Sequence, residues 1–476
     1  MPVFAERAGA DRAEIQFFVL LGAAILAIKL AFLWIDNVPL FFMGDSGGYL
    51  GSALGDHVPP ERSFAYGQVF IRSLLWLFGS LRAVVAAQVV SSAGSALLLA
   101  AVLRVGFDVS RVTAGLAALA YAVEPLALFY ERMLMTDNLA TFFMAGFVFV
   151  GVAYLRRPRI APLPWLSVFS TAGIALRTSL LPTVLSCAAV LPLLAPGRLK
   201  IRLCHLALLA VLTLAGHAAY WHWFHKQTGW PAGYRGDSGF FLLASWLPLM
   251  TPADFPDPAL YDRIMSQVRY PPSAETFARD LQLWTPDGVI GNLVRTQPNR
   301  IAADALAMRI ALNIGRRDPV GVLRLGWETY LDLWNPQTIV ENERQRELDA
   351  HLIEHMQKRY GEDVSGHHLL TTPSKAWHAM AVPWYQVVLL SPLLWIAAML
   401  AAPRLWRPMI FVGLVLASQW AVDTLVVTDP VVRYLHPLAW LTLLLVAVLL
   451  QSLVRRAARR RPAHRSLTGM TAFQAR

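Results

Sequence analysis

Apolar runs of about 16 to 22 residues recur along this chain, nearly all of them long enough to cross a bilayer core of roughly 30 Å. They fall at 15–35, 83–103, 112–130, 138–155, 161–176, 178–195, 203–224, 381–402, 408–427 and 434–453. Backbone polar groups inside lipid must be satisfied within their own segment, so runs of this kind fold as helices. The sequence therefore predicts an all-α polytopic membrane protein with about ten transmembrane helices. Composition agrees: 15% of the 476 residues are charged and 56% hydrophobic, with a mean hydropathy of +0.46. Soluble domains carry about 25% charged residues. A soluble enzyme, a disordered scaffold and a single-anchor protein are all excluded.

The net charge of +11 does not indicate nucleic acid, because the basic residues sit where membrane topology uses them. Arg104 and Arg111, then Arg156, Arg157 and Arg159, then Arg198, Lys200 and Arg202, then Arg404 and Arg407 occupy alternate short loops. The tail adds Arg455, Arg456, Arg459, Arg460 and Arg461. Positive loops stay in the cytoplasm, so both termini are expected there, with the first run an uncleaved signal anchor. The intervening loops, with scattered arginines at 62, 132, 177 and 433, are expected outside. Arg- and Ala-rich composition suggests a bacterial inner (plasma) membrane. Cys187 and Cys204 lie in apolar runs and read as small buried residues.

One outer loop is long. The expected division is a transmembrane module over 1–225 with seven spans, an extracytoplasmic domain over 226–380, three C-terminal spans over 381–453 and a basic tail over 454–476. The loop opens with Pro231, Pro248, Pro252 and Pro256, which predict irregular structure. Arg300–Leu333 and Glu341–Arg359 carry apolar residues at helical spacing, so the domain is expected to be mostly helical. Tyr66–Gly79 is apolar but too short to span, and reads as a helix lying in the interface of the first outer loop.

This topology gathers the unusual polar residues at one rim. Asp45 lies in Gly44-Asp45-Ser46-Gly47-Gly48-Tyr49, Glu131, Arg132 and Asp137 in the second outer loop, Arg177 in the third, and Asp429 and Arg433 in the last. Charges beside lipid are costly and usually face a cavity or one another. Acids opposite arginines suit a phosphorylated lipid, since a guanidinium fork matches phosphate and a carboxylate can take a proton. Each residue also has a plainer reading. Asp45 would serve a Gly-rich turn, Asp137 a helix start, Glu131 a solvated loop, and Arg177 and Arg433 the interface. Glu124, before Pro125 within the third run, reads as either a neutral buried acid or a site residue. Lys29 reads as a snorkelling side chain. The spacing of His217, His222 and His225 does not match a zinc site.

The order of these features resembles the GT-C glycosyltransferases, multi-pass enzymes that take sugar from a polyprenyl phosphate. Within them it is similar to the branch of protein O-mannosyltransferases and lipid A aminoarabinose transferases. The resemblance rests on Asp45 and Tyr49 after the first span, then Pro125, Tyr130, Arg132, Thr136 and Asp137 in order. Arg177-Thr178 opens a later span, and Arg433-Tyr434-Leu435-His436-Pro437 opens the last. It covers about residues 15–225 and 381–453. Asp45-Ser46 stands where many relatives carry two adjacent acids, and the loop Pro59–Tyr66 matches the family's Arg-Pro-Pro segment only loosely.

The resemblance implies inverting transfer of a hexosyl or pentosyl group from a polyprenyl-phosphate sugar to a lipid, glycan or protein acceptor at the extracytoplasmic face. It implies Asp45 as base, assisted by Asp137, with Tyr49, Glu124, Arg132, Arg177, Arg433 and Tyr434 binding substrate. Were a metal used, Asp45 and Asp137 would hold Mg²⁺ or Mn²⁺, hard cations suited to carboxylates. Two other readings compete: a transporter or flippase of a lipid-linked sugar, and a non-catalytic assembly subunit. Many transporters show matching halves with interrupted helices, and no such symmetry is visible here.

Overall fold

The computed structural model describes residues 12–42, 44–336, 347–428 and 431–460. Among these residues there is no β-strand, only a parallel bridge between Leu40 and Met133. Helix α1 (Arg12–Ile35) leads into the short α2 (Asp45–Leu54). A π-helical turn (Tyr66–Ile71) continues into α3 (Arg72–Phe78), which Gly79 ends at φ +65°. This is the segment expected at the interface, and it exposes Trp76, Leu77 and Phe78. There follow α4 (Leu81–Phe107), α5 (Arg111–Ala122), α6 (Pro125–Tyr130), α7 (Asp137–Arg156), α8 (Leu163–Leu176), α9 (Leu181–Leu194) and α10 (Leu199–Thr228).

Among the described residues, six helices are long and apolar enough to cross a membrane, or seven with one bent pair counted as a span. The chain is an integral membrane protein, with fewer full-length spans than the ten expected. The run at 112–130 is two helices, because Pro125 lacks the N–H that would continue α5 and forces Glu124 into extended backbone at ψ 127°. The runs at 161–176 and 178–195 are shorter apolar helices, parted by extended backbone at Arg177.

Helices α4 and α7 cross closely. A Cβ on Gly94 would meet the Phe142 ring, and one on Gly106 would press on Val152. Small residues of this kind let apolar helices approach inside a membrane. Cys187 is buried, but Cys204 is exposed on α10, a helix that turns much of its surface outward.

The long loop is helical as expected, with a difference in its first part. There α11 (Ser238–Trp246) forms among the prolines, followed by short 3-10 turns. Helices α12 (Pro258–Met265), α13 (Thr276–Trp284) and α14 (Val289–Arg295) precede α15 (Arg300–Arg317) and α16 (Pro319–Asp332). Asn299 caps α15 through Ala302 N at 2.8 Å, and Asp318 caps α16 through Gly321 N at 2.7 Å. Ala303, Ala307, Ile310, Ala311 and Ile314 recur at helical spacing. With Phe240, Leu243 and Leu247 they form an apolar core separate from that of the bundle. Each buried Ile, Leu or Phe among them contributes about 1.5–3 kcal/mol.

Trp246 Nε1 donates to Leu425 O at 2.7 Å and ties this unit to the bundle. Of the stretch Glu341–Arg359, residues 341–346 lie outside the described residues. The remainder forms α17 (Ala350–Tyr360), whose Leu352 packs toward Gly47 and Gly51 of α2. Helices α18 (Thr372–Leu389) and α19 (Ser391–Ala401) form the bent pair, broken by 50° just before Pro392. Helices α20 (Trp406–Leu425) and α21 (Val432–Arg460) complete the chain's described part.

Candidate active site

The backbone after α1 is clipped to the segment after α6. Leu40 N donates to Arg132 O at 2.7 Å, and Leu134 N to Leu40 O at 2.9 Å. Gln88 of α4 holds that segment from the other side, donating to Glu131 O at 3.0 Å and Met133 O at 2.8 Å. It accepts from Tyr66 OH at 2.7 Å. Ser46 accepts from Phe42 N at 2.8 Å and donates to Leu134 O at 3.1 Å. The residue that replaces a second acid therefore anchors the start of α2, where Asp45 sits. A helix N-terminus favours a carboxylate.

From Asp45 a line of charged and aromatic groups runs across the bundle end. Its Oδ1 accepts from Arg62 Nη2 at 2.6 Å and its Oδ2 from Arg433 Nη1 at 2.6 Å. Arg433 Nη2 reaches Tyr434 OH at 2.9 Å, and both Arg433 and Arg177 lie over the Tyr434 ring, at 4.9 and 5.2 Å. Arg177 in turn pairs with Asp137, the first residue of α7. The extended backbone at Arg177 breaks α8 from α9 and turns its side chain inward. Tyr49, one turn along α2 from Asp45, is buried with its ring edge-on to Tyr66 at 5.0 Å. Six of the eight expected site residues thus form one group: Asp45, Tyr49, Asp137, Arg177, Arg433 and Tyr434.

Two arginines join them that the sequence reading did not single out. Arg62 was one of four scattered outer-loop arginines. Arg235 lies in the loop after α10, which Gly236 N fastens to Pro60 O at 2.7 Å. Gly236 is needed for this approach, since a Cβ there would meet Trp230 and Pro60. The neighbouring Asp237 is taken by Arg300, which donates to its oxygens at 3.0 and 2.5 Å. Arg235 therefore has no carboxylate partner among the described residues, and its Nη2 is buried without a hydrogen bond, as is Arg433 Nε. The only sequence signal was basic residues beside Pro59-Pro60 and Gly236.

Burial would raise the carboxyl of Asp45, but Arg62 and Arg433 outweigh it and hold the group below the usual carboxylate range. Burial pushes the Tyr49 phenol up to about 12, so it stays protonated. These residues do not suit a divalent metal. Both oxygens of Asp45 and one of Asp137 accept from guanidinium groups, and a metal would have to displace or repel those cations. No cluster of three or more His, Cys, Asp or Glu that could hold a metal ion occurs among the described residues.

The remaining expected residues lie elsewhere. Glu124 caps α6, accepting from Leu126 N at 2.9 Å and Ala127 N at 2.6 Å. Arg132 is fully buried over the Trp377 ring at 4.3 Å and pairs with Glu131 at 2.7 Å. Glu131, read as solvated, is also fully buried and pairs with Lys29, which does not snorkel. A lysine in mid-helix can turn inward when a carboxylate is there to meet it. Asp429 lies outside the described residues.

No family model matches the chain, and no curated protein does. Two solved structures are similar to it, both of ArnT from Cupriavidus metallidurans. The one bound to undecaprenyl phosphate has 14% identity and a TM-score of 0.34, covering 92% of this chain and 78% of that one. The apo structure has 14% identity and a TM-score of 0.35, covering 94% and 79%.

Proposed function

We propose that this protein is a membrane glycosyltransferase of the GT-C type that takes sugar from a polyprenyl-phosphate donor. The observation that carries the reading is the Asp45 group, a carboxylate between two arginines with unpaired guanidinium donors beside it, at one end of an apolar helical bundle. The order of motifs along the chain supports the same reading. The acceptor oxygen attacks the anomeric carbon from the face opposite the phosphate, and the bond from that carbon to the phosphate oxygen breaks. The electron pair leaves with the lipid phosphate, and the acceptor's proton passes to Asp45. Charge grows on the phosphate as the bond breaks, so fixed cations there lower the barrier. Arg433, Arg177, Arg62 and Arg235 are the groups placed to supply them. Asp137 orients Arg177 through their ion pair.

The site end faces the extracytoplasmic side in this reading. Supporting it, the opposite end collects Arg104 and Arg111 on Glu14, Arg156 on Asp108, and Arg456 on the carbonyls of Leu400 and Ala401. The acceptor is a lipid, glycan or protein. The test is release of free polyprenyl phosphate from polyprenyl-phosphate sugars by purified protein in nanodiscs. Wild type is expected to release it and Asp45→Asn is not. No release from any donor, with scrambling of donor across proteoliposomes, would replace this reading with a transporter.

A further inference from the structure

The same geometry sets a problem for the proposed base. Each carboxylate oxygen of Asp45 already accepts a charge-assisted bond, from Arg62 at one and Arg433 at the other, both at 2.6 Å. A carboxylate held this way is a poor proton acceptor, because protonation would forfeit two ion pairs. We infer that Asp45 and the donor phosphate compete for the same two arginines, and that ion-pair exchange on donor binding is what frees Asp45 to meet the acceptor. The inference rests on the reading above and deepens it: the base becomes available only when a phosphate is in place.

Four observations fit exchange. Arg62 and Arg433 are 16% and 15% exposed, so an incoming anion can reach them. Arg433 Nε and Arg235 Nη2 are buried donors without partners, which phosphate oxygens would satisfy and the two oxygens of Asp45 do not. Arg235 makes no ion pair of its own among the described residues, because Arg300 occupies Asp237. Asp45 opens α2, so after losing its arginines it still lies in the first turn of a helix, where a negative charge is favoured. The competition also tightens along the reaction. A sugar phosphodiester carries one negative charge, and the phosphate monoester left behind gains a second as it loses the sugar.

The experiment measures binding of polyprenyl phosphate, with uncharged polyprenol as control, to the full chain in nanodiscs without acceptor. Wild type is expected to prefer the phosphate. Asp45→Asn removes the competitor and should bind polyprenyl phosphate about tenfold more tightly, within the range seen for coupled sites, while polyprenol binding stays unchanged. Should Asp45→Asn fail to fold, Asp45→Ser keeps a small polar group at the helix start and carries the same expectation. A second comparison uses Arg433→Ala in the Asp45→Asn background, where most of the gain should vanish. Phosphate-selective binding by wild type with no tightening in the Asp45 variants would overturn the exchange alone. Equal binding of phosphate and polyprenol by wild type would overturn the transferase reading with it.

Discussion

Lys29, Glu131 and Arg132 form one cluster, and Arg62, Asp45 and Arg433 another, each a single carboxylate between two cations. Their surroundings differ. The first is wholly enclosed: all three residues have zero exposure, Arg132 lies on Trp377, and its guanidinium also donates to Asp36 O and Leu128 O. It braces α1 against the segment after α6. The second is partly open, with Arg62 and Arg433 16% and 15% exposed. Each cluster holds a buried guanidinium nitrogen without a partner, Arg132 Nη2 in the first and Arg433 Nε in the second. Similar ion-pair chemistry therefore braces helices where protein closes over it and, on the proposed reading, meets an anion where a side remains open.

Substitutions should separate the two clusters. The largest effect is expected for Asp45→Asn, which should cut sugar transfer by about 10²–10⁴-fold, the usual worth of a general base. Its thermal unfolding in detergent should stay near wild type. An Asp45→Asn protein that transfers normally would break the contrast. Glu131→Ala should do the reverse. It strands two buried cations and is predicted to destabilise by about 3–5 kcal/mol, seen as a lowered unfolding midpoint. Replacing Lys29 and Glu131 together by apolar residues should recover part of that loss, whereas the turnover of whatever protein folds should be close to normal.

A smaller effect is predicted for Arg433→Ala, which should raise the KM for donor by at least about tenfold, as truncating one partner of a buried pair does. A KM unchanged from wild type would make Arg433 an anchor of α21 only. The smallest is Arg62→Ala. Arg62 lowers the carboxyl of Asp45, so removing it should let that group titrate at higher pH. The acid limb of the kcat/KM profile, which reports the donor-free enzyme, should then move to higher pH. A limb that stays in place would mean that Arg62 does not act on Asp45 in the donor-free enzyme.

Much of the architecture was legible in the chain because lipid imposes a simple rule. Apolar runs must be helical, and all ten expected runs are helices or pairs of helices. What the runs did not reveal was where helices break. Pro125 splits the run at 112–130 and the chain bends by 50° before Pro392 within the run at 381–402, whereas the break at Arg177 already parted two expected runs. Six of the eight expected residues come together, and all six lie on the same side of the predicted topology. Arg132 was grouped with them by that same reasoning, and Glu124 as a buried acid inside the third run. Sequence distance from a helix end does not say whether a charge faces a neighbour or an opening.

The sequence by itself determined a helical membrane protein, the rim on which its acids and arginines gather, and Asp45 and Asp137 as the acids to watch. Tertiary structure decided which cation meets which acid. Asp45 lies 388 positions from Arg433 in the chain, and Arg235 approaches the group only because Gly236 lets its loop close on Pro60. Such long-range pairings depend on how helices pack and on which partners are already taken. Local periodicity carries neither piece of information, so Arg62 and Arg235 emerge only when the chain is folded.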